Sequence, residues 1–173
     1  LPCPYSKDKG RLVLHEMTDS LALELVDKGL VTNQVVLHVG YDKNNESYSG
    51  PLHINHFGQS VPKPAHGSIH LNFHTSSALE ISTAALALYE RIVHPKLMIH
   101  RLTVTFNNVI LETEADNYLQ YDLFTTPSEI ERRQQNHAVY SEKIWKNAIL
   151  KGMNLEDGAT AMERNQQIGG HRA

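Results

Sequence analysis

Short polar side chains alternate with apolar ones in three segments of the sequence, and their types are those that hydrogen-bond anionic oxygens. The polar positions are Gln34 and His38 in the first segment, Ser68, His70, Asn72 and His74 in the second, and Arg101, Thr103 and Thr105 in the third. Hydroxyl, amide, imidazole and guanidinium groups can donate to phosphate oxygens without reading any base. Cations along the same edge would come from Lys43, Lys63, His53, His56 and His66. The pattern predicts one polar surface suited to a phosphate backbone.

The same alternation is also typical of an antiparallel sheet with one face packed on a core and the other in water. The pattern alone does not separate a binding surface from a solvated one. The three segments hold almost no carboxylates, and this favours an anionic partner.

The histidines raise metal binding as an alternative chemistry, since nine of the eleven lie in residues 1–110. On a strand, His70 and His74 would be about 13 Å apart. One metal ion about 2 Å from each nitrogen would not bridge them. His53 and His56 are better spaced, but neither a Cys nor a carboxylate stands beside them. We interpret the histidines as neutral donors and acceptors and predict no metal site.

A second candidate site is the short peptide QYDLF, which follows an acidic and polar stretch, residues 112–117. Its candidate binding residues are Gln120, Asp122, Leu123 and Phe124. An exposed Leu-Phe pair in polar surroundings marks either a docking peptide or an edge that packs onto the domain. The residues themselves leave both interpretations open.

Strands are needed to hold the polar rows, and period-2 alternation predicts them at Val31–Asp42, Ser68–His74 and Arg101–Phe106. Their predicted inward residues are Val35, Leu37, Val39 and Tyr41, then Ile69, Leu71 and Phe73, then Leu102, Val104 and Phe106. Leu1–Pro4 is a candidate for the end of a fourth strand. Lys43–His66, rich in Asn, Ser, Gly and Pro, predicts a long loop with short strand extensions around Leu52 and Ile54.

Two helices are predicted between the strands. The first runs from an N-cap at Ser6 to Gly29, with Leu14, Met17, Leu21 and Leu25 at helical spacing. The second begins at the capping box Ser77-x-x-Glu80 and ends at His94-Pro95. The order β-α-β-β-α-β predicts an α+β fold, with a four-stranded, mainly antiparallel sheet and both helices on one face.

Three regions are predicted: a domain in residues 1–111, a linker with the QYDLF peptide in residues 112–126, and a tail in residues 127–173. Thr126-Pro127-Ser128-Glu129 is a helix start, so the tail should be helical to about residue 150 and irregular afterwards. Its last part, residues 152–173, has little to bury, and we expect it to be poorly ordered or docked on an absent partner.

Composition narrows the classes of function. The net charge of −3 arises after residue 110, because residues 1–110 hold nine basic and nine acidic residues. A neutral domain with an acidic tail is not a strong free-standing nucleic-acid binder. The acidic residues of the domain are predicted to lie on solvated faces of helices. No phosphate-binding glycine loop or nucleophile elbow is present in the sequence. A single cysteine, Cys3, and no run of about 20 apolar residues predict a cytoplasmic chain without a membrane span.

Several segments resemble the C-terminal little-finger domain of Y-family translesion DNA polymerases, and most closely the UmuC/DinB-like group of Gram-positive bacteria. They are RLVLHEMTDSLALELVDKGLVTNQVVLHVGYD, VPKPAHGSIHL, MIHRLTVTFNNVI and the tail KNAILKGMNLEDGATAMERNQQIGGHRA. The strand HRLTVT is similar to a family strand that is richer in arginine. Lys43–His66 is longer than in archaeal and DinB-type members.

The resemblance implies a β-α-β-β-α-β domain whose sheet face holds the primer–template backbone, and a sliding-clamp peptide at Gln120–Phe124. It also implies that palm, fingers and thumb, with their carboxylates and Mg²⁺, lie upstream, so that this fragment needs no cofactor of its own and is not itself an enzyme. The expected setting is DNA repair and the SOS response, in the bacterial cytoplasm at the nucleoid. The alternative is an interaction module that binds mainly the clamp.

Overall fold

A computed structural model describes residues 1, 3–45, 48–118, 152–165, 167–168 and 171–172 of the chain. Up to residue 118 the elements are α1 (Lys7–Asp27), β1 (Leu30–Tyr41), β2 (Leu52–Ile54), β3 (Ser60–Pro62), β4 (Ala65–Thr75), α2 (Ala78–Ile92), β5 (Ile99–Asn107), β6 (Ile110–Leu111) and α3 (Glu112–Tyr118). The tail contributes a 3-10 helix (Gly152–Leu155), α4 (Ala161–Asn165), β7 (Gln167–Ile168) and β8 (His171–Arg172). The predicted α+β class is confirmed.

The main sheet is antiparallel and has the order β4-β1-β5, with β6 pairing the start of β1. The inward residues of β1 (Val35, Leu37, Val39, Tyr41) are buried in one cluster with side chains of α1 and α2. Since alternate residues of a strand share a face, both helices lie on the same side of the sheet. This leaves the opposite face of the sheet free of helices among the described elements.

The N-terminal segment contributes less to the sheet than the sequence predicts. Tyr5 alone forms a bridge to Ile99, through a backbone hydrogen bond in each direction (2.8 and 2.7 Å). Pro4 has no N–H to donate to a ladder, and α1 begins two residues after Tyr5. The fourth strand of the sheet is β6, which follows β5 after Asn108, a residue with a φ of 52°.

The N-caps predicted for both long helices are confirmed, but in the predicted capping box of α2 the N–H of Ser77 donates to the Thr75 hydroxyl (3.0 Å) and not to Glu80. The Ser6 hydroxyl accepts from the N–H of Lys9 at the start of α1, and Gly29 after its end has a φ of 62°. The Ser77 hydroxyl accepts from the N–H of Glu80 (3.4 Å) at the start of α2. The Glu80 carboxylate accepts from the Thr75 hydroxyl (2.7 Å), so the cap also ties α2 to the end of β4.

The long segment between β1 and β4 forms its own two-stranded sheet, β2 with β3, instead of extending the main sheet. Residues 112–118, which the sequence assigns to a linker, form α3. Its first residue donates its N–H to the carbonyl of Gly29 (2.9 Å), and Ala115 is buried. The predicted helix after Pro127 lies outside the described residues.

The described part of the tail packs on α1, on the helical side of the domain. The Thr160 N–H (2.7 Å) and hydroxyl (3.2 Å) donate to one oxygen of Glu16, and a guanidinium nitrogen of Arg164 lies 3.6 Å from it. Seven residues earlier on α1, Lys9 pairs with Asp157 at 2.7 Å. These contacts attach residues 157–164 of the tail to α1 of the same chain.

Burial of Glu16 also corrects the predicted character of α1. Glu16 is 1% exposed, whereas Met17 of the predicted apolar stripe is only half-buried. The tail supplies the hydrogen bonds that a buried carboxylate needs, so this carboxylate is not part of a solvated helix face. In the part of the chain that the structure describes, no helix is both long and apolar enough to cross a membrane.

Candidate nucleic-acid interface

The helix-free face of the main sheet carries the polar rows that the sequence predicts. Cross-strand pairing arranges them in four rows across β4, β1 and β5. The rows are His70–Gln34–Asn107, Ser68–Val36–Thr105, His66–His38–Thr103 and, without a β4 partner, Gly40–Arg101. Residues paired directly across an antiparallel ladder lie on the same face, about 5 Å apart. Three strands therefore present a continuous grid of short donors and acceptors.

The side chains of the grid are available to a partner on its outer strands. Ser68, His70, Arg101, Thr103 and Thr105 are exposed, whereas Gln34 and His38 on the central strand are half-buried. Asn72, beyond the last paired row, is exposed as well. No carboxylate stands in any of the four rows. A face of this composition offers hydrogen bonds and cations to an anion, with no fixed negative charge inside it.

Two contacts couple neighbouring strands within the grid. The side-chain nitrogen of Gln34 and Nε2 of His70 are 3.0 Å apart. The rings of His38 and His66 lie 6.1 Å apart at an angle of 55°. These contacts hold amide and imidazole groups in place on the surface before any ligand arrives, which lowers the cost of ordering them on binding.

The electrostatic environment of the grid lowers the pKa of His38. Burial lowers the pKa of its imidazole, and the positive charges of His66, Arg101 and His53 lower it further. Three cationic or potentially cationic groups therefore act on one ring. An anion bound here would favour the protonated imidazole and oppose this lowering.

Arg101 lies at an irregularity of β5 that changes the direction of neighbouring side chains. Gly40 pairs with Arg101, but the next residue, Tyr41, pairs with Ile99, so that His100 is an extra residue. A Cβ at Gly40 would lie 3.2 Å from the Cβ of Arg101, and the glycine thus leaves room for the arginine stem. Nδ1 of His100 lies 3.6 Å from a carboxylate oxygen of Asp42, an acid that follows Gly40 by two residues.

Three predicted site residues lie apart from the paired rows of the grid. The register of β4 shifts after His70, and Thr75 is the next residue paired with β1, at Thr32. Asn72 and His74 both fall in this irregular stretch, where Asn72 is exposed and His74 is half-buried, so neither belongs to a paired row. Lys63 is exposed and follows β3, where its N–H donates to the carbonyl of Pro51 (2.9 Å). It belongs to the small hairpin and not to the main sheet.

The structure adds Asn107 to the predicted set, because Asn107 pairs with Gln34. Asn107 continues the alternation two residues after Thr105, so the periodicity of the sequence contained the signal for it, and the predicted polar row of β5 was one residue too short. His66, which the sequence predicts as a cation along the edge of the polar surface, pairs with His38 and stands in the grid itself.

The second candidate site, with Gln120, Asp122, Leu123 and Phe124, lies outside the described residues. The described chain reaches Tyr118 at the end of α3, two residues before Gln120. The structure also has no group of three or more His, Cys, Asp or Glu that could hold a metal ion, as far as the chain is described.

Comparison with known proteins connects this fold to a family. The impB/mucB/samB family C-terminal domain matches residues 4–123, which include α1 through α3, the grid and nearly all of the QYDLF peptide. The comparison with curated proteins found no match. The matched region covers well over half of the 173 residues. The chain therefore belongs to the impB/mucB/samB family, and it carries the C-terminal, little-finger domain of the Y-family polymerases that act in translesion synthesis and DNA damage tolerance.

Proposed function

We propose that the grid on the helix-free face holds the sugar–phosphate backbone of primer–template DNA. The observation that carries the proposal is the set of cross-strand rows, which places donors from three strands side by side with no carboxylate among them. Hydroxyl, amide and imidazole groups position a duplex through its phosphates and carry no sequence information. The proposed DNA contacts are Gln34, His38, Ser68, His70, Asn72, Arg101, Thr103 and Thr105, with Lys63 and His74 at the border.

The number of permanently charged cationic side chains at the proposed interface sets the expected affinity for DNA. Arg101 is the arginine of the grid, and Lys63 is an exposed cation of the adjoining hairpin. Each phosphate contact by a cation contributes roughly −0.9 to the slope of log affinity against log salt concentration. Two such contacts predict weak, salt-sensitive binding by the fragment, with the rest of the affinity coming from the upstream domains of the polymerase. Palm, fingers and thumb, with their Mg²⁺, are proposed as the catalytic partners in the same chain.

Arg101→Ala tests the contact with the backbone. We expect weaker binding to every DNA sequence by a similar factor, and a salt slope shallower by about one unit. The control is Arg11→Ala, which removes a half-exposed arginine of α1, on the opposite side of the sheet, where it pairs with Glu90 at 3.5 Å. A loss that depends on the DNA sequence, or an equal loss with Arg11→Ala, would count against the proposal.

A second proposal is recruitment of the sliding clamp through Gln120, Asp122, Leu123 and Phe124. It is supported by the position of the peptide, which begins two residues after α3 and so directly after the folded domain. A linear peptide gains affinity from apolar anchors in a partner pocket, and Leu123 and Phe124 provide two. We also propose that this recruitment takes place in the bacterial cytoplasm as part of the SOS response.

Replacing Leu123 and Phe124 together by alanine should abolish binding to the clamp and leave DNA binding intact. Leu79→Ala is a suitable control, because it removes an exposed leucine from α2 on the helical side. Unchanged affinity of the double variant for the clamp would contradict this proposal. If the chain bound the clamp but no DNA, the fragment would be an interaction module alone.

A further inference from the structure

The hairpin of β2 and β3 presents an apolar tip at the surface. Phe57 is 82% exposed and Ile54 is 73% exposed, and Leu52 on the same strand is also exposed. By contrast, Val61 on the partner strand is buried. One side of the hairpin is therefore anchored on the domain, and the tip carries large apolar side chains into solvent.

The tip has a defined shape. The side-chain oxygen of Asn55 accepts from the N–H groups of Phe57 and Gln59, at 3.0 Å each. The N–H of Asn55 donates to the carbonyl of Gln59 (2.9 Å), and Gly58 has a φ of 72°. An asparagine that bonds the backbone two residues ahead is a recognised way to fix a turn. Phe57 is thus held at the apex and is not carried on a loose loop.

The hairpin adjoins the grid in sequence and in space. β3 is followed by two residues and then by β4, whose first residues Ala65 and His66 pair with Val39 and His38. His53, on β2, contributes to the field that lowers the pKa of His38. The strands of the hairpin therefore adjoin the end of the grid that holds His38, and the apolar tip lies at the far end of these short strands.

The surroundings of the tip favour an anionic partner. Residues 47–79 contain no Asp or Glu, but they contain Lys63 and five histidines. The rings of His56 and Phe57 are in edge contact, with centroids 5.6 Å apart. A nucleic acid offers both negative charge and flat apolar surfaces, and aromatic side chains on basic surfaces stack on unpaired bases regardless of sequence.

We propose that the hairpin tip, Phe57 with Ile54 beside it, stacks on an unpaired base of the DNA whose paired part lies on the grid. The inference rests on the proposed function and extends it, since it gives the fragment a preference for junctions between single and double strands. Phosphate contacts from the grid would set the position of the duplex, and the tip would contact the first bases beyond it.

The test compares two labelled DNAs by anisotropy with the full 173-residue chain: a blunt duplex, and the same duplex with a single-stranded template extension. Wild type should bind the extended DNA more tightly. Phe57→Ala should weaken binding to the extended DNA about tenfold and leave blunt-duplex binding unchanged. The matched control is Leu79→Ala, which removes an apolar side chain of similar exposure (76%) from the first turn of α2, on the helical side.

A second variant supplies a direct signal. The chain contains one tryptophan, Trp145, so that Phe57→Trp in a Trp145→Phe background places the only indole at the tip. We expect its fluorescence to be quenched by the extended DNA and not by the blunt duplex, with affinity retained. Equal affinities of wild type and Phe57→Ala for the extended DNA, without quenching, would overturn the inference and indicate a protein partner for the tip. Absence of wild-type binding to the blunt duplex would instead overturn the proposed function, and this inference with it.

Discussion

The contact between the tail and α1 makes the hydrogen exchange of one backbone amide a direct measure of tail docking. The N–H of Thr160 donates to Oε2 of Glu16 at 2.7 Å, and its hydroxyl donates to the same oxygen at 3.2 Å. The Glu16 side chain is fully buried, so that solvent reaches the Thr160 amide when the tail segment leaves the helix. The amide should exchange slowly in the wild-type chain.

Glu16→Gln preserves the shape of the side chain and removes its charge. Hydrogen bonds to a charged acceptor are roughly twice as strong as neutral ones, so each of the two bonds from Thr160 should lose about 1 kcal/mol. The guanidinium of Arg164, 3.6 Å away, also loses an anionic partner. We expect docking to weaken by about 2 kcal/mol and exchange at Thr160 to become about 30-fold faster.

Amide exchange followed by NMR or mass spectrometry on the full chain would measure this effect. Glu24→Gln is the control, because it makes the same change on the same helix at a half-exposed residue whose ion-pair partner is Lys28. It should leave Thr160 protected, and both variants should keep the amides of β1 protected. A Thr160 amide that exchanges freely in the wild type, or equally in wild type and Glu16→Gln, would refute the buried contact.

Two further outcomes follow from packing and from charge. Gly10→Ala should destabilise the fold by about 1–3 kcal/mol in urea denaturation, because its Cβ would lie 2.5 Å from the hydroxyl oxygen of Tyr89. Helix propensity alone predicts that the same substitution stabilises the fold. A more stable variant would therefore contradict the close packing at Gly10. DNA affinity should rise from about pH 8 to about pH 5.5, since phosphates favour protonated imidazoles. Burial and cationic neighbours lower the pKa of His38, so its share should appear at lower pH than that of an exposed imidazole. His38→Gln should therefore flatten the low-pH part of the profile of DNA affinity against pH, measured by anisotropy, whereas His15→Gln on α1 should not. Identical profiles for wild type and His38→Gln would show that His38 does not contact the DNA.

Elements whose pattern repeats locally could be predicted from the sequence. The alternation in β1 and β5 separated the core-facing from the polar residues correctly, although those of β5 are only partly buried, because the side-chain period of a strand is fixed by its geometry. Ser6 and Ser77 identified the starts of both long helices, because a cap satisfies N–H groups only three residues away. The polar rows of the grid were accessible to the same reasoning.

Features that depend on distant pairing could not be predicted in this way. Glu16 contacts Thr160, which is 144 residues away in the chain, and nothing in the local helical pattern distinguishes it from a solvated carboxylate. His74 continues the alternation of β4 in sequence, but the register shift after His70 removes it from the row. Registers and tail contacts are set by which segments meet in the folded chain, and periodicity within one segment does not contain that information.

The most direct test of the proposed DNA interface is fluorescence anisotropy of a labelled primer–template against the full chain, at low and at near-physiological salt. We predict weak binding at low salt that fades as salt rises, with a slope of about −2 for two phosphate contacts by Arg101 and Lys63. Absence of binding at low salt would contradict the proposal. The helix-free face would then be an ordinary solvated face of the sheet.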